Sequence, residues 1–84
     1  MSYQLIIPKV VEKQLNKLAN QIRETVIENL LILQDNPRPP NSLKLKNVQG
    51  YRLRVGNYRV LYDIDDPTQT ITIRRVGHRR DIYR

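Results

Sequence analysis

The sequence predicts an α+β fold in which two N-terminal helices cover one face of a small, mostly antiparallel sheet, and three observations predict it. Val11, Leu15, Leu18, Ile22, Val26, Leu30 and Leu33 recur at spacings of three and four, the mark of amphipathic helix with one buried stripe. In the second half, "YRLRV", "YRVLYDI" and "TITIR" alternate with period two, the strand signature. The helical pattern comes as one block after a single short strand and before the rest, an order that belongs to segregated α+β architectures.

The elements follow in order. "YQLII" at 3–7 reads as a short apolar strand, stopped by Pro8, which the first turn of a helix tolerates because its missing N–H is not needed there. The apolar stripe then runs through two helices, 9–19 and 21–35, divided at the polar Asn20-Gln21 pair, with Asn20 as N-cap of the second. "DNPRPPNS" at 35–42 ends the helix, since its prolines remove donors and fix the backbone. "LKLKNVQG" is a connector, partly extended. A hairpin follows: 51–55 and 58–64 are strands, and Gly56-Asn57 is a two-residue turn of the Gly-X kind. "DDPTQ" at 65–69 is a second turn, and "TITIRRVGH" at 70–78 a third strand rich in Thr and Ile. The order β-α-α-β-β-β fills residues 1–84 as one domain, a size that supports a modest core and no second one.

The two-residue turn sets the hairpin register. Val55 opposes Tyr58, Arg54 opposes Arg59, Leu53 opposes Val60, Arg52 opposes Leu61 and Tyr51 opposes Tyr62. One face is then tyrosine and aliphatic and belongs to the core. The other carries Arg52, Arg54 and Arg59, with Arg54 and Arg59 directly across from each other, a like-charge pair that is destabilising by itself. A bound phosphate would convert that repulsion into a shared clamp. In the third strand, strict alternation sends Arg74 and Arg75 to opposite faces.

The net charge of +7 sits wholly in the second half. Residues 1–35 balance, whereas no acidic residue occurs between Asn36 and Tyr62, where Arg38, Lys44, Lys46, Arg52, Arg54 and Arg59 lie. A second basic cluster holds Arg74, Arg75, Arg79, Arg80 and Arg84, interrupted by Asp81. A one-sided basic surface on a small domain suits a polyanion such as nucleic acid. Lys44 and Lys46 would meet the phosphates of such a polyanion diffusely, or else are solvated loop charges. The chain has no cysteine and one histidine, which excludes disulfides and thiolate sites and argues against an all-protein zinc site; no cofactor is expected. The N-terminal stretch lacks a basic leader followed by a long apolar segment, so neither a signal peptide nor a membrane span is expected, and cytoplasm is the default location.

The segment "YRLRVGNYRVLYDI", followed after a turn by "ITIRRVGHRRDIYR", resembles the RelE branch of the RelE/ParE toxin superfamily, the toxic halves of bacterial type II toxin–antitoxin pairs. The likeness extends to the order of elements and so covers essentially the whole chain. It implies a RelE-like fold and a ribosome-dependent, metal-independent endoribonuclease that cuts messenger RNA in the decoding site. It also implies inhibition by a cognate antitoxin, in a complex that binds operator DNA. The basic residues of the family's site correspond to Arg52, Arg54, Arg59 and Arg79, the terminal aromatic to Tyr83, and His78 stands where relatives carry histidine or lysine. Relatives often have lysine at the first two positions. Arginine stays protonated, so here those positions suit phosphate binding and not proton transfer. Tyr83 is the candidate base, its phenolate favoured by surrounding guanidinium groups, or it stacks on a nucleobase. His78 could protonate the leaving oxygen or hold phosphate when charged. Two other readings stay open: a ParE-like toxin that poisons DNA gyrase, and a non-enzymatic nucleic-acid-binding module.

Overall fold

The structure, a computed structural model, describes residues 2–82. Five strands form one sheet in the order β1-β5-β4-β3-β2. They are β1 (Gln4–Ile6), β2 (Ser42–Lys44), β3 (Tyr51–Val55), β4 (Tyr58–Asp65) and β5 (Thr70–His78). β1 runs parallel to β5, and every other pairing is antiparallel. The helices α1 (Lys9–Asn16) and α2 (Asn20–Asp35) pack on one face, α1 against β5 and α2 against β1 and β3. They carry the chain from one edge strand to the other, which is why β1 and β2 bound the sheet. A single turn, α3 (Arg79–Ile82), follows β5.

The two-layer fold and the hairpin register are as the sequence predicts, pair for pair from Tyr51↔Tyr62 to Val55↔Tyr58. Gly56 has φ +59 while Asn57 stays out of the positive region, the II′ arrangement that a Gly-X turn permits. Four details differ. The connector after the prolines contains a true edge strand, β2, because Ser42, Leu43 and Lys44 find partners in Leu53, Arg52 and Tyr51. The first helix stops at Asn16, three residues short of the expected end. Asn20 is not the N-cap of α2. That position is Ala19, whose carbonyl accepts the Arg23 N–H at 2.9 Å, and the Asn20 carboxamide oxygen takes the Arg23 guanidinium instead. The fourth detail is α3, which period-two reasoning does not reach.

The core lies between the helices and the sheet. Val11 and Leu15 of α1 and Val26, Leu30 and Leu33 of α2 meet Leu53, Val55, Val60, Tyr62, Ile71, Ile73 and Val76. Burying each such side chain is worth about 1.5–3 kcal/mol. Tyr62 is fully buried, stacks on Tyr51 with ring centroids 5.7 Å apart, and donates its hydroxyl to the Pro37 carbonyl at 2.8 Å. That burial pushes its phenol above the ordinary tyrosine value. The two flanking tyrosines of the stripe, Tyr51 and Tyr58, are half-buried. β1 covers only Thr70–Thr72 of β5, so the edge beyond is exposed to α1. There the Gln14 side chain accepts the Val76 N–H at 2.8 Å and supplies the partner that a longer β1 would have given. No helix among the described residues is long and apolar enough to cross a membrane.

Candidate functional site

Strand alternation leaves Arg52, Arg54 and Arg59 on the face away from the helices. Leu53 and Val60, on the opposite face, are fully buried, whereas Arg54 is exposed and Arg52 and Arg59 are half-exposed. The Arg54 backbone is occupied by the chain before β2: its N–H donates to the Asn41 carbonyl at 2.9 Å and its carbonyl accepts from the Asn41 carboxamide at 2.8 Å. Arg54 and Arg59 therefore face each other without exchanging backbone bonds, the closer of the two antiparallel pair types, with Cα atoms about 4.5 Å apart. Pro40, Asn41, Ser42 and Leu43 border these three arginines around an open depression of about 320 Å³.

Part of the compensation for the like-charge pair is internal. The Arg59 Nη1 donates to the carbonyls of Gly56 and Tyr58, each at 2.8 Å, which draws its guanidinium toward the hairpin turn. The neighbouring turn carbonyl, Asn57 O, accepts the Arg79 N–H at 2.8 Å. One tight turn thus anchors both Arg59 and the start of α3. Two further contacts hold α3 in place. Arg75 Nη2 donates to the Asp81 carbonyl at 3.1 Å, and Ile82 is buried over Gly77, where an added Cβ would meet Ile82 Cδ1 at 3.4 Å. Gly77 is the residue opposite Arg59, so α3 borders the arginine face and brings Arg79 to its rim. The Arg54 and Arg79 guanidiniums have no hydrogen-bond or ion-pair partner among the described residues.

The other candidates are placed differently. His78 pairs with Tyr58 across the β4–β5 ladder and shares its face, the helix side. Its ring meets Tyr58 edge-on at 5.3 Å, and its Nδ1 accepts the Arg80 N–H at 3.2 Å. It closes the first turn of α3 and does not stand among the arginines. Lys44 opposes Tyr51, again on the helix side of the sheet, and Lys46 is an exposed loop residue. Tyr83 lies outside the described residues.

Arg74 and Arg75 do not point to opposite faces. Leu61 pairs with Arg75 but Tyr62 pairs with Ile73, so β5 carries one extra residue there, a β-bulge that breaks the two-residue period. Ile73 and Val76 are both buried and both arginines between them are exposed. The signal was present in the sequence, since Ile71, Ile73 and Val76 are spaced two and then three apart.

Two cations of the basic half are neutralised locally. Arg74 pairs with Asp63, whose other oxygen, Oδ1, is buried with no hydrogen-bond partner among the described residues. Arg38 pairs with Asp66 at 2.9 Å, lies over the Tyr51 ring and donates to the Tyr51 hydroxyl, while Tyr3 donates to Asp66 at 2.6 Å. The Arg38 hydrogen bond, and then that of Tyr3, hold the Asp66 carboxyl below its ordinary value. The bond to Asp66 in turn raises the Tyr3 phenol and the Arg38 guanidinium. Among the described residues no three His, Cys, Asp or Glu side chains group in a way that could hold a metal ion.

Comparison with known proteins bears on what such a face does. Residues 5–83 match a family model described as the ParE toxin of type II toxin–antitoxin system, parDE. The chain is 35% identical over 88 residues to Toxin RelG of Mycobacterium tuberculosis, covering 100% of this chain and 99% of that protein. It is 36% identical over 87 residues to Toxin RelE3 of Methanocaldococcus jannaschii, covering 94% and 93%. In three dimensions it is similar to a chain of the toxin–antitoxin complex RelBE2 from Mycobacterium tuberculosis, with a TM-score of 0.84 and 30% identity over 93% of this chain and 99% of that one.

Proposed function

This chain belongs to the RelE/ParE superfamily, the toxins of type II toxin–antitoxin systems, and from that premise we propose that it is a RelE-type endoribonuclease that cleaves messenger RNA on the ribosome. It acts in the cytoplasm as a single domain and is restrained by a cognate antitoxin, in a complex that binds operator DNA. The observation that carries the reading is the Arg54↔Arg59 pair on the open face, with Arg52 in the adjoining row and Arg79 at the rim.

The reaction asks three things of such a face. The ribose 2′-oxygen attacks the adjacent phosphorus, forming an O2′–P bond as the P–O5′ bond breaks. The 2′-OH proton leaves to a base, and the departing 5′-oxygen receives one. Between these events, negative charge accumulates on the nonbridging oxygens. Arg54 and Arg59 would share those oxygens through charge-assisted hydrogen bonds that strengthen as the charge grows. Arg59 is preorganised, since the turn carbonyls already hold one of its nitrogens. Arg79 would contact the same or the following phosphate. Tyr83 is our candidate base. His78 is engaged with Tyr58 and the Arg80 N–H, and its nearest role is to support that turn. Lys44 and Lys46 add long-range attraction to RNA.

The test is cleavage of messenger RNA on programmed ribosomes, read for products ending in 2′,3′-cyclic phosphate. Loss of translation with intact messenger RNA would sink the nuclease reading. The ParE description of the matched family model favours a second reading, a gyrase poison; arrest of replication before translation on expression would select it.

A further inference from the structure

We infer that Arg75 is a second phosphate-binding residue, separate from the Arg54–Arg59 pair, and that Arg74 beside it is not. The inference rests on the RNA-cleaving reading and deepens it by assigning the place of a neighbouring phosphate. The bulge in β5 turns two consecutive arginines to the exposed side, and the register sorts them. Arg75 stands in one row with Leu61 and Arg52 across the open face. That row is two residues along β4 from Arg59, about 7 Å, comparable to the separation of successive phosphates in an extended single strand. Half-buried Leu61 gives the row an apolar floor between its two guanidiniums.

Charge separates the two arginines further. Arg74 is paired with the Asp63 carboxylate, so together they present no net charge to a polyanion. Among the described residues Arg75 donates only to a neutral acceptor, the Asp81 carbonyl, which orients the guanidinium and leaves its charge uncancelled there. A phosphate meeting this face therefore gains from Arg75 and not from Arg74.

The probe is a short single-stranded RNA methylated at every 2′-oxygen, so that it binds without being cut, with affinity read by fluorescence anisotropy across a salt series. Each phosphate contact adds about 0.7 to the slope of log affinity against log salt for single strands. Arg75→Gln is expected to lower the slope by about that amount and Arg75→Lys to retain it. The double variant Asp63→Asn/Arg74→Gln, which removes both charges without stranding the buried carboxylate, is expected to bind like wild type. An unchanged slope in Arg75→Gln overturns the inference while leaving the nuclease reading intact. If Arg75→Lys loses as much as Arg75→Gln, the side chain only anchors α3 and the inference fails. A fall in the double variant refutes the exclusion of Arg74. Wild-type protein that shows no salt-dependent binding overturns this inference, while cleavage on programmed ribosomes still decides the nuclease reading.

Discussion

Replacing Arg54 and Arg59 singly by alanine should move stability in opposite directions while lowering RNA cleavage in both cases. The two residues form a close cross-strand pair. Two guanidinium charges about 6 Å apart in water repel by about 0.7 kcal/mol, and measured cross-strand charge effects fall in the range of about 0.2–1 kcal/mol. Arg54→Ala removes this repulsion and, among the described residues, no side-chain hydrogen bond, since Asn41 binds only its backbone. It should stabilise the fold by about 0.5 kcal/mol. Arg59→Ala removes the same repulsion but also the two bonds from Nη1 to the carbonyls of Gly56 and Tyr58. At about 0.5–1.5 kcal/mol net for each bond, the loss outweighs the relief and leaves the variant about 1 kcal/mol less stable. Urea melts at low ionic strength measure both. High salt should shrink the Arg54→Ala gain, because the repulsion is screened and the bonds are not. Cleavage by Arg59→Ala should fall about 10²–10³-fold, as for loss of one transition-state donor. Destabilisation by Arg54→Ala, or a gain that grows with salt, would refute the argument that this face stores repulsion for a phosphate to relieve.

Other outcomes follow from the same geometry. Tyr83→Phe should cut about 10²–10⁴-fold more slowly with ribosome binding unchanged if the hydroxyl is the base, and wild-type rates in single-turnover assays would remove it from that role. Gly56→Ala meets no neighbouring atom but must hold a positive φ; it should cost about 1–2 kcal/mol and lower cleavage as well, because Arg59 and Arg79 both hang on that turn. Asp66 has its carboxyl depressed in the fold, so its stabilising contribution is present above the unfolded value near 3.8 and is lost as pH falls through the folded value. Asp66→Asn should accordingly flatten the acid limb of a thermal-melt profile and leave the neutral region's pH dependence as it was.

The hairpin was legible because three local rules agree there. Gly56 admits the II′ turn, a two-residue loop leaves one register, and a one-residue slip would bury Arg52, Arg54 and Arg59. The helices were legible from their apolar stripe, whereas their ends were not. Asn20 has the chemistry of a cap, but Ala19 already supplies the first helical carbonyl and Arg23 takes the Asn20 side chain. β2 was missed since a three-residue edge strand has almost no periodicity of its own and exists through its partners in β3. The candidate site was half legible. Its arginines follow from alternation, but the separation of His78 from them depends on the β4–β5 register, which a bulge shifts after Leu61.

By itself, then, the sequence determined what local sterics and periodicity control: two amphipathic helices, a hairpin in a single register, and three arginines gathered on the face opposite the core. Tertiary structure decided what depends on contacts between distant segments. The bulge that exposes Arg74 and Arg75 together arises because β5 must match β4 on one side and present Ile73 and Val76 to the core on the other. The assignment of Arg74 to Asp63 and of Arg38 to Asp66 selects which positive charges remain for a ligand. The return of α3 over Gly77, fixed by Asn57, Arg75 and Ile82, brings Arg79 to the rim of the arginine face. Charge and periodicity are properties of residues read in order, whereas pairing and neutralisation depend on which residues the fold makes neighbours.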